Sequence, residues 1–157
     1  MIVRPYPEGI DCVWLASDKD GHLGAFITAG VGPIPAPMLD PLCMLVEEIE
    51  GELHKLPTIS QARLLLAVPR PDSYIELAER GMFVYDWNDV HRTVRESLHV
   101  YEPVAVPTKP ATIGSLPSDL MALVKMLNLP GVAFSAEKEV DVHKHFKCVE
   151  VGSSGSS

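Results

Sequence analysis

The period of the apolar pattern changes along this chain, and each change marks an element. Asp11 to Ala16 is a short apolar run. Ser17-Asp18-Lys19-Asp20-Gly21 follows, rich in turn formers. His22 to Ala29 then alternates, with Leu23, Ala25 and Ile27 on one face and Phe26 and Thr28 on the other. A run, a turn and an alternation predict an antiparallel β-hairpin, because successive strand side chains point to opposite faces. Gly30-Val31-Gly32-Pro33-Ile34-Pro35-Ala36-Pro37 cannot continue it. Its prolines lack amide donors and fix φ, and its glycines admit unusual φ, so the segment reads as a stiff loop.

A helix is predicted from Pro41 to Leu56. Asp40 suits the N-cap and Pro41 the first helical position. Leu42, Leu45, Val46, Ile49, Leu53 and Leu56 recur at three- and four-residue steps. That stripe should bury Leu42, Leu45, Ile49 and Leu53. Pro57 is the expected stop. Arg63 to Val68 fits either a buried strand or a helix. Ser73-x-x-Glu76 reads as a capping box for a short helix ending at Gly81. Met82 to Trp87 has the aromatic and β-branched content of a strand, and His99 to Val106 is another. A last helix is expected from Pro117 to Leu127, then a short strand at Val132 to Phe134. The charged stretch Glu137 to Lys147 is expected to fray.

These elements predict an α+β fold: a mainly antiparallel sheet that starts with the N-terminal hairpin, with helices packed on one face. The 157 residues suit one domain over 1–151, with 152–157 set aside as a flexible Gly/Ser tail or a cloning linker. Hydrophobic residues make up 46% of the chain, enough for a core at this size.

Charge narrows the functions. Thirteen Lys and Arg against 21 Asp and Glu give a formal net charge of −8. Nucleic-acid binding needs a basic face, so no nucleic acid is expected as a partner. An anionic membrane is equally unsuited, and no apolar run reaches the roughly 18 residues of a span. An acidic surface steers toward basic partners, although it also serves plain solubility. Three widely spaced cysteines do not make a disulfide framework. Residues 1–9 hold no apolar stretch that would read as a signal peptide, so a cytoplasmic protein is expected.

Candidate chemistry is sparse. His143-x-His145-x-x-Cys148 has metal-ligand residue types, but a structural zinc wants about four ligands, usually with a Cys-x-x-Cys knuckle, and no metal or other cofactor is expected. Cys43 lies in the first turns of the predicted helix, where a thiol is activated, yet it reads better as a small core cysteine. Asp18-Lys19-Asp20-Gly21 resembles the start of a calcium loop, yet it returns at once to an apolar strand and reads better as a hairpin turn. Asp86, Asp89 and His91 could serve a small hydrolase-type enzyme as acid and base, or cap a turn locally. Asp86, Trp87 and Asp89 are more attractive as part of a binding surface, with Trp87 as an aromatic anchor or a core residue. Glu47, Glu48 and Glu50 give the predicted helix a one-sign face that suits a basic partner. A scaffold or adaptor domain is a further reading.

Ile10-Asp11-Cys12-Val13-Trp14-Leu15-Ala16-Ser17-Asp18, Gly21-His22-Leu23-Gly24-Ala25-Phe26 and Gly30-Val31-Gly32-Pro33-Ile34-Pro35 resemble the opening of a group of small bacterial proteins. Gly81 to Trp87, Tyr101 to Pro107 and Leu116-Pro117-x-x-Leu120 resemble its later landmarks. The resemblance spans Ile10 to Phe134. The group resembles immunity proteins encoded beside polymorphic or secreted toxins. It implies a non-catalytic chain that binds a cognate toxin and covers its active site. It supplies no catalytic residue, and the His143 to Cys148 segment lies outside it.

Overall fold

A computed structural model of the chain describes residues 3–88 and 100–152. The expected hairpin is present: β1 (Val13–Asp18) and β2 (Leu23–Ile27) pair antiparallel, from Val13 opposite Ile27 to Ser17 opposite Leu23. Gly21 closes the turn with φ at 76°, a value glycine adopts without strain. There follow β3 (Ile34–Pro35), α1 (Val46–Leu53), β4 (Ala62–Leu64), α2 (Asp72–Glu79), β5 (Phe83–Asn88), β6 (Val100–Pro107), α3 (Ser118–Met126), β7 (Asn128–Leu129) and β8 (Cys148–Val149). Short 3-10 segments join them.

The architecture is mixed α+β. Six strands form one sheet in the order β4-β6-β5-β2-β1-β7, and β3 pairs with β8 separately. Antiparallel pairings are the majority, but β2–β5 and β1–β7 are parallel. The sheet is therefore mixed.

One sheet face is aromatic. Trp14 stacks on Phe26 at 4.2 Å between ring centroids, and Phe26 stacks on Tyr85 at 4.7 Å. Tyr101 meets Trp14 and Phe26 edge-on, and Phe134 covers Phe26 at 6.0 Å. A Cβ at Gly24 would meet the Phe134 ring at 2.8 Å, so this cover needs glycine. The Tyr101 hydroxyl accepts from Trp14 Nε1 at 3.1 Å and donates to the Pro33 carbonyl at 2.9 Å. Tyr6 donates to the Gly32 carbonyl at 2.6 Å. The Gly/Pro loop is thus tied to the core by buried hydroxyls. The opposite face carries Val13, Leu15, Ala25, Ile27 and Val84, by strand alternation. Here Ser17 donates to the Val124 carbonyl of α3 at 2.8 Å, and Tyr74 of α2 donates to Asp86 at 3.1 Å.

The helix expected over Pro41 to Leu56 is shorter. It runs only from Val46 to Leu53, burying Val46, Ile49 and Leu53, while Leu42 is 95% exposed and Leu45 39% exposed. Asp40 uses its signals in a turn instead. Its carboxylate accepts from the Leu42 amide at 2.8 Å, and its carbonyl accepts from the Cys43 amide at 2.9 Å. Such side-chain-to-backbone bonds compete with helix. Leu45 then stands extended at the N-cap, with ψ at 131°. The chain leaves the helix at His54, before Pro57.

Other boundaries also move. Of Arg63 to Val68, only Arg63 and Leu64 belong to a strand, at the sheet edge and with Leu64 exposed. Ser73 does not cap α2, which starts at Asp72 after Pro71 with no side-chain cap. Val132 to Phe134 is not a strand; Phe134–Ala136 is a 3-10 turn, and β7 lies earlier. The charged stretch after Glu137 is anchored, because Val140 exchanges backbone bonds with Tyr101 at 2.8 and 2.9 Å and Val142 is buried. Among the described residues, no helix is long and apolar enough to cross a membrane.

Candidate functional site

Asp86 and Trp87 are neighbours in β5, so their side chains point to opposite faces. Trp87 is only 8% exposed and packs on Tyr101 at 5.1 Å, in the aromatic core. It is a core residue here, not a surface anchor. Asp86 faces α2, half-buried. Its Oδ2 accepts the Tyr74 hydroxyl, and its Oδ1 is buried with no hydrogen-bond partner. Glu102 stands opposite it in the β5–β6 register. Burial pushes the Asp86 carboxyl up to about 6; Asp11 and Glu102 add to this, while the Tyr74 bond works against it. A carboxyl tuned toward neutrality is the kind of group that functional sites use. Asp89 and His91 lie outside the described residues.

The α1 acids occupy a separate region, beside β1 and two strands from β5. Glu47 and Glu48 are exposed and sit in the first helical turn, where the helix dipole favours carboxylates. Glu50 is half-exposed, with its carboxylate 3.7 Å from His54, which also approaches Glu76 at 3.4 Å. Lys55 pairs with Glu52 at 2.7 Å. Glu48, Glu52 and Lys55 line an open groove of about 570 Å³ together with Met44, Gly51 and Asp119. Asp119 comes from the first turn of α3. Its place there was not legible from sequence, since only tertiary packing brings α3 to α1.

The cysteines are not activated. Cys43 precedes α1 by a loop, so no helix N-terminus lies beneath its thiol. Burial and then Asp40 raise that thiol, against an opposing effect of Arg4. Burial also pushes Cys12 and Cys148 up to about 12. His143 lies between Asp141 at 3.7 Å and Glu150 at 3.5 Å, while Cys148 Sγ approaches the Phe146 carbonyl at 3.5 Å. Among the described residues, the group with metal-ligand atoms within 4.8 Å of one another is instead Asp18, Asp20 and His22. Asp18 already accepts the amides of Asp20 and His22 at 2.9 Å each and of Phe134 at 2.7 Å. These bonds make Asp18 the organiser of the hairpin turn and the tether of the aromatic cover.

The arrangement therefore offers an acidic helix surface with an open groove, and one half-buried carboxyl elsewhere. Comparison with protein-family models, with curated proteins and with solved structures finds no match to this chain.

Proposed function

We propose that this chain is a protein-binding module that acts as an immunity protein. It binds a cognate bacterial toxin with a basic surface, covers the toxin's active site and turns nothing over. The reading places it in the cytoplasm of the toxin-producing cell. The observation that carries it is the exposed one-sign surface of α1, where Glu47 and Glu48 project from a helix pinned by Val46, Ile49 and Leu53. Carboxylates on a rigid scaffold steer a basic partner and hold their geometry when it arrives. The resemblance of Ile10 to Phe134 to toxin-immunity proteins supplies the kind of partner.

The experiment is capture from the native host on tagged protein, followed by assay of the captured partner. The expected result is one tightly held basic protein whose toxicity the chain suppresses. Recovery of no such partner, with turnover of a substrate instead, would overturn the proposal.

One observation favours a second reading, a small hydrolase-type enzyme: the raised Asp86 carboxyl beside Tyr74. A pH–activity profile that follows a group near 6, abolished in Asp86→Asn, would support it.

A further inference from the structure

Among the described residues, Leu42 is the most exposed of the large apolar side chains, yet its loop is held firmly. Arg4 grips the loop with both terminal nitrogens, donating to the Cys43 and Pro41 carbonyls at 2.9 Å each. The Asp40 carboxylate and carbonyl hold the Leu42 and Cys43 amides from the other side. At 95% exposure the Leu42 side chain is left in water, on a backbone that these bonds fix. Held so, it is a preorganised knob, and a partner that buries it pays little ordering entropy.

Met44, two residues after Leu42, lines a groove over α1 together with Glu48 and Glu52, which share one helix face at four-residue spacing. Their groove carries Glu48, Glu52 and Asp119 against Lys55 alone, and Lys55 is already paired with Glu52. Gly51 leaves the groove open: a Cβ there would meet nothing within 4 Å. Glycine inside a helix costs about 1 kcal/mol relative to alanine. Its use where alanine fits freely is a local sacrifice that keeps space over the helix.

We infer that the Leu42–Leu45 loop and the Gly51 groove form one docking surface for a basic amphipathic segment of a protein partner. Apolar side chains of that segment cover Leu42 and Leu45, and its Lys or Arg side chains meet Glu48, Glu52 and Asp119. This deepens the reading of the chain as a toxin-binding module and rests on it. Charge complementarity selects the occupant. A second copy of this acidic chain would place carboxylates against carboxylates, and an anionic membrane would be repelled.

The test uses the full chain and a synthetic helical peptide with leucines on one face and lysines on the other. Its twin carries glutamates in place of lysines. The lysine peptide should shift the amide NMR signals of residues 42–48, 51, 52 and 119, and the glutamate twin should not. Leu42→Ser and Gly51→Gln should each weaken binding about tenfold, as expected for losing one buried leucine or filling the groove. Gly51→Gln removes no contact within the fold, so it keeps the test valid should Leu42→Ser perturb the loop. Shifts centred elsewhere, or unchanged affinity in both variants, would overturn the inference. So would self-association of the chain, or binding to neutral phosphatidylcholine vesicles, that is lost in Leu42→Ser. If both variants still neutralise a captured toxin at wild-type affinity, the docking surface fails while the immunity reading stands. If the lysine peptide docks as expected and no toxin is captured, the immunity reading fails alone.

Discussion

Replacing Asp86 by Asn should stabilise this protein at neutral pH. The carboxyl titrates at about 6 in the fold, against an ordinary 3.8, and burial is the main cause. The native chain therefore binds more protons than the unfolded chain between these values. Stability is greatest below the lower value, falls as pH rises through the window, and levels off above about 6. At about 1.4 kcal/mol for each tenfold change in proton affinity, the whole difference is about 3 kcal/mol. Asp86 keeps partial contact with solvent, and screening reduces this to about 1–2 kcal/mol. An Asn carbonyl can still accept the Tyr74 hydroxyl, so the substitution removes charge without removing that bond. Urea unfolding of both proteins at pH 7 and at pH 4 measures the effect. Asp86→Asn should be more stable by about 1–2 kcal/mol at pH 7, with the gap closing toward pH 4. A variant less stable at pH 7, or a gap that ignores pH, would show that the buried Asp86 charge does not cost the fold stability.

Three further outcomes follow from the packing. Tyr101→Phe removes the acceptor of Trp14 Nε1 and the donor to Pro33, and should cost about 1–3 kcal/mol in urea unfolding. Gly51→Ala should raise stability by about 0.5–1 kcal/mol, read as a higher urea midpoint at unchanged slope. Leu42→Ser should change stability by less than about 0.5 kcal/mol, whereas Ile49→Ala, at a fully buried position of the same region, should cost about 2–5 kcal/mol.

The contrast between Leu42 and Ile49 shows how far sequence reading reaches. Both fit the same helical stripe. Only Ile49 lies within α1, because an Asp40 turn and a clamp from Arg4 hold the residues before it out of the helix. That clamp joins positions 37 and 39 residues apart, which no local pattern reveals. The hairpin and β5 were legible because alternation and turn chemistry are local. The parallel β2–β5 pairing was not, since it needs a crossover whose partner the chain does not mark. Trp87 and Asp86 read as one surface segment, yet the pleat sends them to opposite faces. The raised pKa of Asp86 comes first from burial and then from Asp11 and from Glu102 across the sheet, against the opposing bond from Tyr74, twelve residues away on α2, and no local pattern reveals these neighbours. Glu47 and Glu48 were legible as a solvated acidic face, because the helix that carries them is set by its own apolar spacing.

Neutralisation of a toxin by this acidic surface is measured directly by titrating the captured toxin's activity at low salt, with the wild-type chain and with a Glu47→Lys, Glu48→Lys double variant. Wild type should extinguish activity at equimolar ratio, while the charge-reversed chain should associate more slowly and leave activity at the same ratio. Toxin activity untouched by excess wild-type chain, or equal inhibition by both proteins at low salt, would contradict it.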